Sequence, residues 1–148
     1  MSSVQHAADQ IAATLVETWN RHDAKAFSSI FSPAAEFTNV FGMKASGRDE
    51  VERFHAPLFA TMFRDSRLGI AEVSSRQIRP DVATVDLHWS MSGAYDPKGK
   101  AWPGRKGLIS MVIAARGSEW LIECMHNMEL GDAASAEAQH ELQQAKTA

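Results

Sequence analysis

The sequence of 148 residues holds one cysteine, one tyrosine and five prolines, and it lacks any long apolar run. The lone cysteine, Cys124, rules out an intrachain disulfide and a cysteine-rich metal site, and its place in an apolar strand pattern reads as that of a small core residue. No segment approaches the ~18 consecutive apolar residues that a membrane-crossing helix needs, so no membrane partner is expected. Charge of one sign is also scarce. The 15 Lys and Arg against 18 Asp and Glu give a formal charge of −3, and no basic run is interleaved with aromatics, which argues against nucleic acid as a partner. The opening Met1-Ser2-Ser3-Val4-Gln5-His6 has no basic stretch followed by an apolar one, and a cytoplasmic location is the expectation. Phosphate-cradling glycine patterns are missing, the histidines have no His-Glu-x-x-His spacing, and no G-x-S-x-G elbow singles out a serine. Neither a metal nor a nucleotide cofactor is expected.

What is present is ordinary globular composition, 45% apolar and 22% charged, at a length that suits one domain with one core. From Val4 to Arg21, Val4, Ala8, Ile11, Ala12, Leu15, Val16 and Trp19 recur at helical spacing and predict a first helix with one buried face. Asp23 is placed to cap a short second helix carrying Ala24, Ala26, Phe27, Ile30 and Phe31, which stops before Pro33. Glu36 to Phe41 is rich in β-branched and aromatic residues and ends at Gly42, as a short strand should. Ser46 and Asp49 have the spacing of a capping-box variant for a third helix, whose inner stripe is Val51, Phe54, His55, Leu58 and Met62. Pro57 cannot donate to the Arg53 carbonyl, so this helix should kink or tighten beside His55.

After Ser66 the pattern turns to strands. Arg67 to Arg79 is a long candidate with an irregularity expected at Gly69 or Ser74-Ser75. In Val82 to Ser92, Ala83, Val85, Leu87, Trp89 and Met91 alternate with Thr84, Asp86, His88, Ser90 and Ser92. A long connection over 93–105 leads to apolar strands at Gly107 to Ala115 and Trp120 to Leu130. The stretch 131–148 has good helix formers but one large apolar residue, Leu142, and predicts a helical extension beyond a core of about residues 4–130. Helices followed by a meander of strands predict an α+β layer fold with the helices on one face of the sheet. The other face needs a partner or water.

The order and spacing of Trp19-Asn20-Arg21-His22-Asp23, Glu36-Phe37-Thr38-Asn39-Val40-Phe41-Gly42, Gly47-Arg48, Phe54-His55, Arg79-Pro80-Asp81-Val82-Ala83 and Trp120 through His126-Asn127 resemble the SgcJ/EcaC-type branch of the SnoaL-like, nuclear transport factor 2-like superfamily. The resemblance covers about residues 4–130. It implies a cone-shaped half-barrel of the cystatin-like kind, with helices packed on a curved antiparallel sheet, an open end that admits a small ligand, and homodimers formed sheet to sheet. The superfamily includes cyclases, isomerases, dehydratases, epoxide hydrolases and noncatalytic binding modules, so the fold does not by itself give an activity. Against its ketosteroid isomerases, the catalytic aspartate would fall on Asn39, the oxyanion-stabilising tyrosine on Leu15 and a further pocket tyrosine on His55. Asn39 cannot take a proton, which argues against that mechanism.

Two histidines are the candidate catalytic groups. His55 interrupts an apolar helix stripe, and His126 follows Trp120, Ile122 and Cys124 at strand period and so is expected on their inward face. Either is equally a satisfied core histidine. Asn39, Trp19, Phe41, Trp89 and Trp102 are candidate ligand-binding residues, Asn39 through its amide and the others through shape. The basic groups Lys98, Lys100, Arg105 and Lys106 around the 93–105 connection read as a solvated hairpin end, or as a flap that favours an anionic ligand. Two functions follow. One is a pocket for a small hydrophobic ligand, an apolar ring or polyketide-like compound, with cofactor-free isomerase, dehydratase or cyclase chemistry if it is an enzyme. The other is a noncatalytic dimerisation module whose pocket is vestigial.

Overall fold

The computed structural model describes residues 3–145. The first helix, α1 (Val4–Asn20), is capped by the Ser3 hydroxyl, which accepts from the His6 amide, and it buries Ala8, Ile11, Leu15 and Trp19. Asp23 caps α2 (Ala24–Ser28) by accepting from the Ala26 amide at 3.0 Å. That helix is shorter than the apolar pattern suggests. Phe31–Thr38 is instead the first strand, β1, and it passes through Pro33. The pairing of β1 with its neighbour shifts register between Phe31 and Glu36, so the missing amide of Pro33 falls where the ladder is interrupted. The strand also ends earlier than expected, because the Asn39 side-chain oxygen accepts from the amides of Phe41 and Met43, both at 2.9 Å, and folds the chain into a turn.

A short strand, β2 (Lys44–Ser46), leads into α3 (Arg48–Phe59). Gly47 is its N-cap with φ of 89°, and no side chain caps the helix. The expected pairing of Ser46 with Asp49 is replaced by Glu50, whose carboxylate accepts from the Ser46 amide at 3.1 Å. The helix continues through Pro57 and ends two residues later.

The remaining strands are β3 (Arg67–Arg79), β4 (Val82–Ser92), β5 (Ala94–Tyr95), β6 (Ala101–Trp102), β7 (Arg105–Arg116) and β8 (Glu119–Glu129). The irregularities of β3 lie between Ile70 and Glu72 and between Gln77 and Arg79, not at Gly69 or Ser74-Ser75. One six-stranded sheet has the order β2-β1-β8-β7-β4-β3, antiparallel throughout except for the parallel β1–β8 pair, while β5 and β6 form a separate hairpin within the 93–104 connection. Helices α1 to α3 cover one face of this curved sheet, and the core between them is continuous from Ala8 and Leu15 to Leu87, Ile113 and Met125. This is the expected α+β cone. The last helix, α4 (Ala133–Ala145), buries nothing, with Leu142 at 70% exposure. Residues 146–148 of the expected extension, like Met1 and Ser2, lie outside the described residues.

One local feature decides the inner face of β8. Ile122 pairs with Ile113 of β7, but Cys124 pairs with Val112, so Glu123 is an extra residue in a bulge. Glu123 is held there by Arg116, 2.8 Å away, and by the Ser32 hydroxyl, which donates to it at 2.8 Å. An extra residue reverses the alternation of side chains beyond it.

Candidate functional site

Between the helices and the sheet lies a cavity of about 470 Å³, within the range of small-molecule sites. Its walls are mostly apolar. Leu15, Phe27, Phe37, Phe54, Leu58, Phe63, Leu68, Ile109 and Met125 line it together with Trp19, Trp89 and Trp102. The predicted tryptophans therefore shape the space and do not fill it. Trp19 is fixed by donating from its ring nitrogen to Ser66 Oγ at 3.0 Å, and Trp89 by donating to Asn127 Oδ1 at 2.8 Å. Trp89 stands directly across from Gly107 of β7, and a Cβ built on that glycine would overlap the indole. At the rim, the exposed loop residue Phe41 stacks on Trp102 with ring centroids 6.4 Å apart.

His55 lies in the cavity wall as expected, and it is buried to 3% exposure. It sits in a cage of rings: Phe27, Phe37, Phe54, Phe59 and Trp19 all lie within 6.1 Å, centroid to centroid. Nδ1 is 2.7 Å from the Val51 carbonyl one turn earlier. A carbonyl can only accept, so Nδ1 carries the proton and Nε2 carries a lone pair. Burial away from water lowers the pKa to about 4, against the smaller opposing effect of the Val51 hydrogen bond. At neutral pH the ring is uncharged. Among the described residues no group bonds Nε2 and no fully buried side-chain nitrogen or oxygen is left without a partner, so that edge of the ring opens onto the cavity.

His126 is elsewhere. The bulge at Glu123 turns Met125 and Asn127 inward and sends His126, Cys124 and Met128 to the outer face of the sheet. His126 is exposed, 3.6 Å from Cys124 Sγ, and does not line the cavity. The expectation of an inward His126 is corrected for that reason, and so is that of a core Cys124, which is half-buried on the outer face. Asn39 does line the cavity, but its carbonyl oxygen is occupied by the turn it forms.

One lining position escaped the sequence reading, and another was assigned to the wrong element. Asn127 follows from the bulge, which no residue type announces. Arg105 was read as part of the 93–105 connection, a solvated end or a flap favouring an anionic ligand, but it opens β7, where Arg105, Gly107, Ile109, Met111 and Ile113 form the inward alternation. Extending that period two residues before Gly107 would have found it. Its side chain is 5% exposed and forms a bidentate pair with Glu129, both contacts at 3.0 Å. The Trp102 ring lies flat beneath the guanidinium, 3.9 Å away. Among the described residues Arg53, exposed on α3, is the other charged residue in the lining, and no carboxylate belongs to it. Among the described residues no three metal-ligating side chains come together.

In outline the chain is similar to several solved structures. One is an uncharacterised protein with a cystatin-like fold from Caulobacter vibrioides, at 23% identity and a TM-score of 0.81, covering 88% of this chain and 92% of that one. Two come from Novosphingobium aromaticivorans. A candidate aromatic ring hydroxylase has 13% identity and a TM-score of 0.75, with 89% and 94% covered. A candidate scytalone dehydratase has 13% identity and a TM-score of 0.72, with 84% and 83% covered. No curated protein matches the sequence. At these identities the likeness is one of fold. The SnoaL-like domain model matches residues 12–129, most of the chain, and the protein belongs to the SnoaL-like domain family.

Proposed function

We propose that the cavity binds an apolar, ring-containing small molecule and that His55 accepts a hydrogen bond from a hydroxyl of that ligand. The observation that carries this reading is the ring's fixed tautomer: Nδ1 is committed to Val51, and Nε2 offers a lone pair in an otherwise apolar wall. A buried acceptor of this kind favours a hydroxyl over an apolar group of the same shape, because an unmatched polar atom loses its water without replacement. The names of the two Novosphingobium proteins, a candidate aromatic ring hydroxylase and a candidate scytalone dehydratase, fit a ring-shaped ligand. Among the described residues His55 is the only histidine in the lining, and in a reaction it is the group that takes the proton, as a weak base because its conjugate acid has a pKa of about 4. Asn127, which accepts from Trp89, orients the ligand from the opposite strand, and Asn39 does so from the rim.

The protein also pairs with a second copy through the outer face of the sheet, in this reading, where Thr84, Asp86 and His88 of β4 stand beside Val112, Ser110 and Leu108 of β7. The residues quoted for the SgcJ/EcaC-type branch support that finer placement within the family.

Binding is tested by titrating 2-naphthol and 2-methoxynaphthalene against tryptophan emission, since three of the four tryptophans line the cavity. The methoxy compound has the same rings without the donor. The hydroxyl compound should bind about tenfold more tightly, and His55→Leu should remove that difference. Equal affinities in the unaltered protein would refute the role given to His55.

A further inference from the structure

The charged residues of the cavity lining point to more than a hydroxyl. Both are arginines, Arg53 and Arg105, and no Asp or Glu joins them. Arg105 is the more telling of the two, because it is buried and held as a rigid plate. One edge of its guanidinium, Nε and Nη2, is taken by Glu129, and the face rests on Trp102. A guanidinium has five N–H groups. Two are used by Glu129, and Nη1 has only the Met91 thioether at 3.9 Å, a weak acceptor. Donors therefore remain on a charged group that lines the cavity, already oriented and with little rotamer freedom left to lose.

Charge balance gives the sign of the ligand. Arg105 and Glu129 neutralise one another, and Glu129 does not belong to the lining. Arg53 adds one positive charge on the exposed side of α3, and among the described residues it has no ion-pair partner. The lining as a whole carries about one unit of positive charge, at the exposed Arg53, and no negative one of its own. The position of Arg105 is also informative. It lies beside Trp102 and the rim residue Phe41 stacks on that same ring, whereas His55 lies among the rings of α1, α2 and α3.

We infer that the ligand is a hydroxyl-bearing ring with a carboxylate, which enters with the ring and its hydroxyl toward His55 and leaves its carboxylate on the free Nη1 edge of Arg105, near the rim. This rests on the pocket reading above and adds the chemical class of the ligand to it. Arginine suits the role because its planar fork matches a carboxylate, and the apolar surroundings strengthen the contact over what water would allow.

The test compares 2-naphthoate with 2-naphthamide, which keeps the rings and the shape but is neutral, by isothermal titration on the full chain at pH 7. In the unaltered protein the naphthoate should bind at least about tenfold more tightly. Arg105→Gln should abolish that preference while the amide still binds. Because removing Arg105 can disturb β7, Glu129→Gln is the second variant. It keeps the guanidinium and removes the competing carboxylate, so naphthoate should bind more tightly than before and naphthamide should be unchanged. A purely structural Arg105 would give no such gain. Naphthamide binding with naphthoate no tighter, a preference that survives Arg105→Gln, or a naphthoate affinity unmoved by Glu129→Gln each overturns the inference alone. Failure of both compounds to bind the unaltered protein overturns the pocket reading and the inference with it.

Discussion

The burial of His55 makes the stability of the protein depend on pH in a window that can be stated in advance. In the folded chain the aromatic cage lowers its pKa from the ordinary 6.5 to about 4. In the unfolded chain the ring is in water and binds a proton below pH 6.5. Between those two values the unfolded state therefore holds the extra proton, and stability falls as the pH is lowered through the window. Above pH 6.5 the contribution is complete, and below about 4 both states are protonated and the loss levels off. At about 1.4 kcal/mol per pKa unit the full effect is about 3 kcal/mol, of which about 2.5 kcal/mol should be gone at pH 4.5. Urea unfolding followed by tryptophan emission at pH 7 and pH 4.5 measures it. Other groups titrate in the same range, so the decisive quantity is the difference between the unaltered protein and His55→Leu. The variant should lose about 2.5 kcal/mol less between the two pH values. Parallel losses in both proteins would mean that His55 is not held neutral by burial, and the assignment of Nε2 as an acceptor would fall with it.

Four further outcomes follow, two from the packing around the cavity and two from the outer face of the sheet. Gly107→Ala should push the Trp89 indole out of place, lower stability by about 1–3 kcal/mol and weaken 2-naphthol binding, as urea unfolding and emission titration would show. Asn127→Leu leaves the buried Trp89 N–H without its acceptor and should cost about 1–3 kcal/mol in the same unfolding assay. His126→Ala, on the outer face, should leave 2-naphthol affinity unchanged in the emission titration; a clear loss would mean that the bulge at Glu123 is wrongly placed. Light scattering after gel filtration should give about twice the chain mass of 16.2 kDa, and a monomer at micromolar concentration would remove the sheet-to-sheet pairing.

The long strands were legible from different signals: Val82–Ser92 alternates without interruption, while Arg67–Arg79, whose alternation is imperfect, is bounded by the Pro80-Asp81 turn. The inner stripe of α1 was legible for the same kind of reason. What failed depended on pairing between distant segments. Phe31 has the spacing to continue a helix, but β8 and β2 recruit the chain from Phe31 onward into the sheet, and tertiary pairing outweighs local preference. The inward face of β8 could not be read past Glu123, because a bulge is stabilised by Arg116 and Ser32 from other strands and leaves no mark in its own sequence. A single misplaced residue there exchanged His126 for Asn127. Arg105 was assigned to the connection for a different reason. A charged residue beside Pro103-Gly104 reads as loop, and its burial is intelligible only with Glu129 and Trp102 brought from β8 and β6.

The central claim, that His55 offers its Nε2 lone pair to a hydroxyl in the cavity, is tested most directly by long-range proton–nitrogen NMR of the histidine side chains, with the resonance assigned by His55→Leu. At pH 7 the free protein should show His55 in the Nδ1–H form, with Nε2 unprotonated. Adding 2-naphthol should shift Nε2 as it accepts a hydrogen bond while Nδ1 stays in place, and 2-methoxynaphthalene should not. An Nε2–H tautomer, a charged ring at pH 7, or an Nε2 resonance that the bound hydroxyl leaves unmoved would contradict the account.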